Sequence, residues 1–452
     1  MKKRKLEYKD NLVMKNYSLD RLTALILKHQ ITFVVFWVTF SVIVYPGLRL
    51  SNASVIKPSL TINQALSLAL DTHPLISSKQ MELKAAKNEV SAARWSLFPN
   101  ASYSFRGLEE NDDADVLNQE VLTISQPIWT GGKISGNVEL AKAKQKIAEL
   151  NILEAEQILI LETVRAFVEL DRANSKLNIS RSNVEEHERL FKIINRKVKA
   201  STSPKVDAKL AKARLALSRS QMVQNKNGLE IATANLEQLI GQPVFQIEPP
   251  ILPPKKRFSS QEVVAAALRF SPAIRKLLEE ITVLKASEKV INSALFPQLS
   301  IGYEKKYGKL LPNQDDEQVF LGLDFQPGAG LSSRLASNAT SERKNAVNEA
   351  LLAMEREVTR DVKIAWREYS AAKMQVSPAN VLVASTTEVM DSYLRQYTVG
   401  RKSWLDVMNA QRELLHARQA LVDHQAVLNL ASFKIEILTG EINRQKVMSK
   451  SE

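Results

Sequence analysis

Residues 137–203 contain neither glycine nor proline. A run so long without a helix breaker fits one continuous helix, about 100 Å in length at 1.5 Å per residue. Apolar positions such as Leu161, Val164 and Val168 recur every three to four residues, with charges between them. This spacing predicts a coiled-coil-like stripe rather than a helix buried on all sides. Glycine is scarce, 14 in 452 residues, which argues against all-β and dinucleotide-binding architectures. After a polar turn at 200–205, a second helix returns to Gly241, a good C-terminal stop. It is about half as long as its partner, and an earlier helix at 74–98 has about the length needed to complete the row.

The same layout occurs twice. Leu97-Phe98-Pro99 recurs as Leu295-Phe296-Pro297, Pro74 as Pro272, Pro127 as Pro327, Asp207 as Asp406 and Gly241 as Gly440, all at offsets between 198 and 200. Five landmarks in one order mark an internal duplication, far longer in period than solenoid repeats. Each repeat reads as a short helix (61–72, then 259–270) stopped before proline, a second helix to the Leu-Phe-Pro, two strands, and a long helix with a shorter return. The second long helix spans 331–399 and its return 401–439, with a kink expected at Pro378. The expected division is a signal peptide at 1–53, a first repeat at 54–250 and a second at 251–452, the repeats forming one intertwined unit.

The leader begins Lys2-Lys3-Arg4-Lys5 and carries an apolar run at 31–45, short for a membrane span and suited to a signal-peptide core. Ser51-Asn52-Ala53 offers small residues for cleavage after Ala53. The rival reading is an uncleaved inner-membrane anchor, and Met14 is an alternative start. Six of the net thirteen positive charges lie in the leader, so the mature chain is only modestly basic and nucleic-acid binding loses its support. With no cysteine there is no disulfide, thiolate metal site or lipid-modified N-terminal cysteine.

Ala101, Tyr103 and Phe105 alternate with Ser102, Ser104 and Arg106, and Val319, Leu321, Leu323 and Phe325 alternate with Phe320, Gly322 and Asp324. One apolar face over about ten residues fits a half-buried strand or a barrel strand in lipid. The strongly polar joining loops, and Trp95, Phe98, Trp129 and Phe296 at the opposite strand ends, favour the barrel with its aromatic belt. A soluble sheet capping a coiled coil is the alternative. Tyr103, Phe105, Leu321 and Leu323 are the candidate lipid-facing residues. Four strands cannot close a barrel and lipid tolerates no open edge, so the barrel reading requires several copies.

No catalytic constellation emerges. Glu185-Glu186-His187-Glu188 lacks the second histidine of a zinc-protease helix and reads as a solvated face. His416 and His424 could share a helix face but lack a further ligand. Gly328-Ala329-Gly330 is a turn, too short for a dinucleotide loop. The expectation is a protein that is not an enzyme and uses no cofactor, catalytic group or metal.

The duplicated layout, the LFP-then-strand junctions, the QPIWTGGK segment and YTVGRKSWLDVMNAQRELLHARQAL together resemble the TolC-like outer-membrane efflux protein family over about 60–440. The resemblance implies a mainly α chain with a small β part, forming a homotrimer. Its twelve strands would make one β-barrel in outer-membrane lipid, and its helices a tunnel through the periplasm. It also implies partners: a periplasmic adaptor (membrane fusion protein) and, through it, an inner-membrane pump supplying drug or protein cargo. The family's tunnel narrows near the second-repeat tip, and the matching positions are Tyr397, Lys402 and Asp406, with Asp207 on the first-repeat tip. Asn409 stands where some members carry a second acid, and Ser201 stands in place of the usual glycine. The sequence adds cations of its own, Arg196, Lys197, Lys199 and Lys205 at one tip, Arg395 and Arg401 at the other, which read either as a basic rim able to meet acidic groups or as a solvated loop with helix C-terminal cations. A periplasmic adaptor and an inner-membrane-anchored structural coiled coil are the competing classes. The first would show one hairpin inside glycine-rich β domains, and the second would lack alternating strands.

Overall fold

Thr61 and Gln64 close a reciprocal capping box that starts α1 (Ile62–Thr72), and Pro74 opens α2 (Pro74–Trp95) directly behind it. Two strands follow, β1 (Asn100–Leu108) and β2 (Leu117–Trp129), then α3 (Lys133–Lys199) and α4 (Lys205–Ile240). The second half repeats the order with its own capping box, Ser259 with Glu262: α5 (Ser260–Phe270), α6 (Pro272–Asn292), β3 (Gln298–Gly308), β4 (Glu317–Asp324), α7 (Ser332–Thr398) and α8 (Trp404–Leu438). A terminal helix, α9 (Arg444–Ser451), closes the chain. The computed structural model describes residues 59–108, 117–251, 259–308, 315–329 and 332–451. The expected signal peptide and its cleavage site, with most of the two polar strand-joining loops, lie outside the described residues.

The first long helix starts at Lys133, four residues before the expected start, and takes Gly136 inside it. Gly131 (φ 58°) and Gly132 (φ 92°) make the corner from strand to helix, a left-handed region that side chains resist. Gly136 is there for close approach. A Cβ on it would lie 2.8 Å from a methyl of Val290, so only hydrogen lets α3 and α6 meet at that level. The helix ends at Lys199, where the polar turn at 200–205 is expected to begin. Pro378 lies within α7 without ending it. The loss of one main-chain bond is small for a 67-residue helix held along its length by α6 and α8.

The helices lie in rows. α3 packs on α2 and α4 of its own repeat and on α6 and α8 of the other, while α7 packs on α6 and α8. Ion pairs Glu139–Lys289 (2.8 Å), Lys146–Glu279 (3.5 Å) and Glu154–Lys276 (2.6 Å) set α3 antiparallel to α6. Farther along, Asp423 of α8 meets both Arg172 and Lys176 of α3 at 2.7 Å. Burial of the Asp423 carboxyl opposes ionisation, yet the bonds from Lys176 and Arg172 hold it below the usual carboxylate range. Near the ends of α1 and α4 a core forms around Phe167, with Leu66, Leu70, Ile160, Leu236 and Ile437. Arg444 of α9 reaches Asp71 and the buried Glu156, both at 3.2 Å, and pins the terminal helix there.

The sheet runs β1-β2-β3-β4, antiparallel throughout, so the central β2–β3 pair joins the two repeats. Residues opposite each other share a face. One row reads Ala101, Ile124, Tyr303, Val319, and others pair Gln126, Ile301, Leu321 and then Leu299, Leu323. The opposite face carries Ser102, Thr123, Glu304 and Gln318 in one row. Val121 and Phe320 are apolar residues there, and the Phe320 ring covers Gly302, where a Cβ would fall 2.3 Å from it. β1 and β4 form the two edges of this sheet.

Candidate functional site at the helical tip

Both hairpins end in the same corner. At the end of α3, the Ser201 N–H donates to Val198 (3.0 Å) and the Thr202 N–H to Lys197 (2.9 Å). At the end of α7, the Gly400 N–H donates to Tyr397 (3.2 Å) and the Arg401 N–H to Gln396 (2.9 Å). Each pair closes a Schellman motif, which needs a left-handed residue after the helix. Gly400 takes φ 80° freely, whereas Ser201 takes φ 59° and, among the described residues, is the one non-glycine with positive φ. The departure from glycine at 201 leaves the turn geometry intact and loads it with strain.

The returning helices start differently. Ser403 caps α8, receiving the Asp406 N–H at 3.2 Å, while the Asp406 carboxylate accepts the Ser403 N–H (3.1 Å) and hydroxyl (2.9 Å). The Ser403 hydroxyl, then its N–H, hold the Asp406 carboxyl below its ordinary range, with the Lys402 charge adding to the effect. Within the protomer, Asp406 is therefore engaged by its own helix cap and not by Tyr397. Asp207 stands at the matching place in the first turn of α4, where Pro204 offers no side-chain cap.

A buried cluster joins all four tip helices. Leu190 and Ile194 of α3, Ala211 of α4, Met390, Leu394 and Tyr397 of α7, and Trp404, Val407 and Leu414 of α8 belong to it. Tyr397 is only 5% exposed and lies 5.4 Å from the Trp404 ring, centroid to centroid. Its hydroxyl is 3.5 Å from that of Ser203, and burial pushes the phenol above its usual range, against the Ser203 contact and with the Asp207 charge adding to the rise. The Lys402 ammonium sits 4.3 Å from the centre of the Tyr393 ring.

The rim cations divide. Arg196, Lys199, Lys205, Arg395 and Arg401 are exposed around the two corners. Lys197 is instead turned inward, donating to the Tyr397 carbonyl at 2.9 Å. Nothing in the residue spacing pointed to this, nor to Ser203 and Trp404 as neighbours of Tyr397 or Tyr393 as the ring beneath Lys402. The S-x-x-D pattern at Ser403 was a signal for the cap that was there to be read.

At the other end of the molecule, the sheet brings Tyr103, Phe105, Leu321 and Leu323 onto one face, with exposures of 62, 60, 67 and 70%. The aromatics expected at the strand ends gather at the helix side, Trp95 with Phe98 (4.9 Å) and Trp129 edge-on to Phe296 (6.2 Å). His187 is half-buried rather than on a solvated face, and burial lowers its pKa. Among the described residues no group of histidines and carboxylates is arranged to hold a metal ion, and no helix is long and apolar enough to cross a membrane.

Residues 65–242 and 263–441 match the model of the outer membrane efflux protein family. Outer membrane efflux protein BepC of Brucella suis is 18% identical, the match covering 86% of this chain and 87% of BepC. Alkaline protease secretion protein AprF of Pseudomonas aeruginosa is 19% identical, over 78% of this chain and 79% of AprF. The open-state crystal structure of the Neisseria gonorrhoeae outer membrane channel MtrE superposes with a TM-score of 0.72 at 16% identity, covering 85% of this chain and 90% of that one.

Proposed function

Because the chain belongs to the outer membrane efflux protein family, and so serves as an outer-membrane efflux channel reaching into the periplasm, we propose that it works as a homotrimer sharing one barrel and one tunnel. The observation that carries this is the sheet. One face is apolar toward the helices and carries Glu120, Lys305 and Glu317 farther out, the other face is mostly polar, and both edge strands present unpaired main-chain groups. In lipid such edges must be paired, and only other copies of the chain can pair them. Three copies supply twelve strands, the number the family resemblance implies.

The helical rows support the same assembly. α7 buries far fewer side chains than α3 and leaves Leu335, Leu352, Met374 and Val381 exposed. On the opposite outer row, α2 and α4 expose Met81, Leu217, Val223 and Ile231. These two flanks would meet between neighbouring protomers, extending the α3–α6 packing around a closed ring. Cargo would enter at the tips from a periplasmic adaptor and an inner-membrane pump, and Tyr397, Lys402, Asp406 and Asp207 would form the closed gate. The exposed basic rim would face acidic groups of the adaptor. AprF is named for protease secretion and BepC for efflux. A duct of this kind serves either, so the choice between polypeptide and small-molecule cargo would rest with the pump.

Light scattering on the detergent-solubilised protein tests the assembly. The expected mass is that of three chains without the leader, somewhat below three times 50.7 kDa, plus detergent; a stable, folded monomer refutes the shared barrel.

A further inference from the structure

The last turn of α3 carries Lys197 against the last turn of α7. Its ammonium donates to the carbonyl of Tyr397 at 2.9 Å, reaches that of Thr398 at 3.4 Å and lies 4.3 Å from the centre of the Tyr397 ring. All three groups belong to the second hairpin, while Lys197 belongs to the first. The carbonyls are the last of a 67-residue helix, where the helix dipole is negative and intrahelical donors run out. An ammonium there makes a charge-assisted bond, which is stronger than a neutral one. The ring beneath it packs in turn on Trp404, itself buried in the tip cluster. Lys197 is thus partly covered, whereas the neighbouring Arg196 and Lys199 are exposed.

The arrangement is not repeated by the duplication. At the 199-residue offset that relates Ser201 to Gly400, the counterpart of Lys197 is Gln396, whose amide donates to Ser392 of its own helix at 3.1 Å. The link therefore runs one way, from the first hairpin to the second. We propose that Lys197 is the positioning residue that locks the two hairpin tips of one protomer together, so that the corner of the second hairpin is held in place while its ammonium is seated. This rests on reading the tip as the gate of the duct.

The test uses the full-length protein in detergent and in planar bilayers. Lys197→Met keeps the stem on the Tyr397 ring and removes the ammonium; Lys197→Arg keeps a cation. Hydrogen exchange is read at the Gly400 and Arg401 amides, whose bonds close the second corner. With Lys197→Met these amides should exchange roughly ten- to hundredfold faster, as loss of one charge-assisted bond allows. Lys197→Arg should stay near the parent, and oligomer mass and exchange in the middle of α3 should not change. Parent-like exchange in Lys197→Met overturns the proposal, and so does equal acceleration in both variants, since the cation would then not be what matters. Faster exchange with higher conductance supports both lock and gate. Faster exchange at unchanged conductance supports the lock and removes the gate reading.

Discussion

Ser201 and Gly400 occupy the same left-handed corner in the two hairpins, at φ 59° and 80°. The corner is open around Gly400, where a Cβ would meet nothing within 4 Å. Conformational strain can therefore be measured there without a steric clash. Gly400→Ala should destabilise the second corner by about 1–2 kcal/mol through φ alone. Ser201→Gly should stabilise the first by roughly 0.5–1 kcal/mol, the relief being partly offset by the greater freedom of glycine in the unfolded chain. Exchange at the Thr202 and Arg401 amides, which close the two corners, reads both effects; opposite signs are expected.

The exposed apolar face of the sheet yields a second expectation. Leu321→Arg should cost roughly 2–4 kcal/mol if it sits near the bilayer midplane. The control belongs on the polar face, and Ser102→Arg serves. Gly322 does not, because a Cβ there would already lie 2.9 Å from the Ser300 hydroxyl. The yield of assembled oligomer in outer-membrane fractions is the readout. Equal losses in Leu321→Arg and Ser102→Arg would mean that neither face is special.

Single-channel conductance tests the proposed gate residues directly. Tyr397→Phe removes a hydroxyl whose contact with Ser203 is long, 3.5 Å, so the loss should fall at the low end of about 0.5–1.5 kcal/mol. Lys402→Ser removes a cation above the Tyr393 ring, a contact of roughly 0.5–1 kcal/mol. Threefold repetition would shift the closed population toward open, so the double variant should conduct more at unchanged trimer yield. Asp406→Asn should make the channel less cation-selective, since it removes three negative charges at the narrow end. Parent values in both measurements would place the constriction elsewhere.

His187 predicts a response to acid. Burial, aided by Arg214 and opposed by Glu186, lowers its folded pKa below the ordinary value near 6.5. Between the lowered and ordinary values the unfolded chain binds more protons than the folded one, so stability rises with pH across that window. Stability is then full above about pH 6.5 and is lost as pH falls through the folded value. His187→Gln should flatten that part of a pH–stability curve measured by denaturant unfolding. An unchanged slope would show that His187 does not titrate in this way.

Much of the architecture was legible because its causes act over a few residues. The proline at each short-helix end, the alternation in β1 and β4 and the glycine-free run of α3 each depend on local sterics and spacing. Helix ends were less legible. α3 begins at the Gly131–Gly132 corner and runs through Gly136, which is tolerated there because it lies against Val290, a residue far away in sequence. At the tip, the positions of Tyr397, Asp207 and Asp406 could be named from resemblance, but their bonds could not.

By itself the sequence determined that the chain is duplicated, that each half holds one very long helix, and that its strands present one apolar face. Those properties follow from periodicity and from residues that break or permit a backbone conformation. The tertiary structure decided which pieces meet. It set β2 beside β3, placed α3 between two rows, gave Asp406 to its own helix cap and turned Lys197 from the rim into the second hairpin. Partners such as Lys197 and Tyr397 are 200 residues apart. Whether a lysine at a helix end faces water or a neighbouring carbonyl depends on how two long helices lie side by side, which no local spacing encodes.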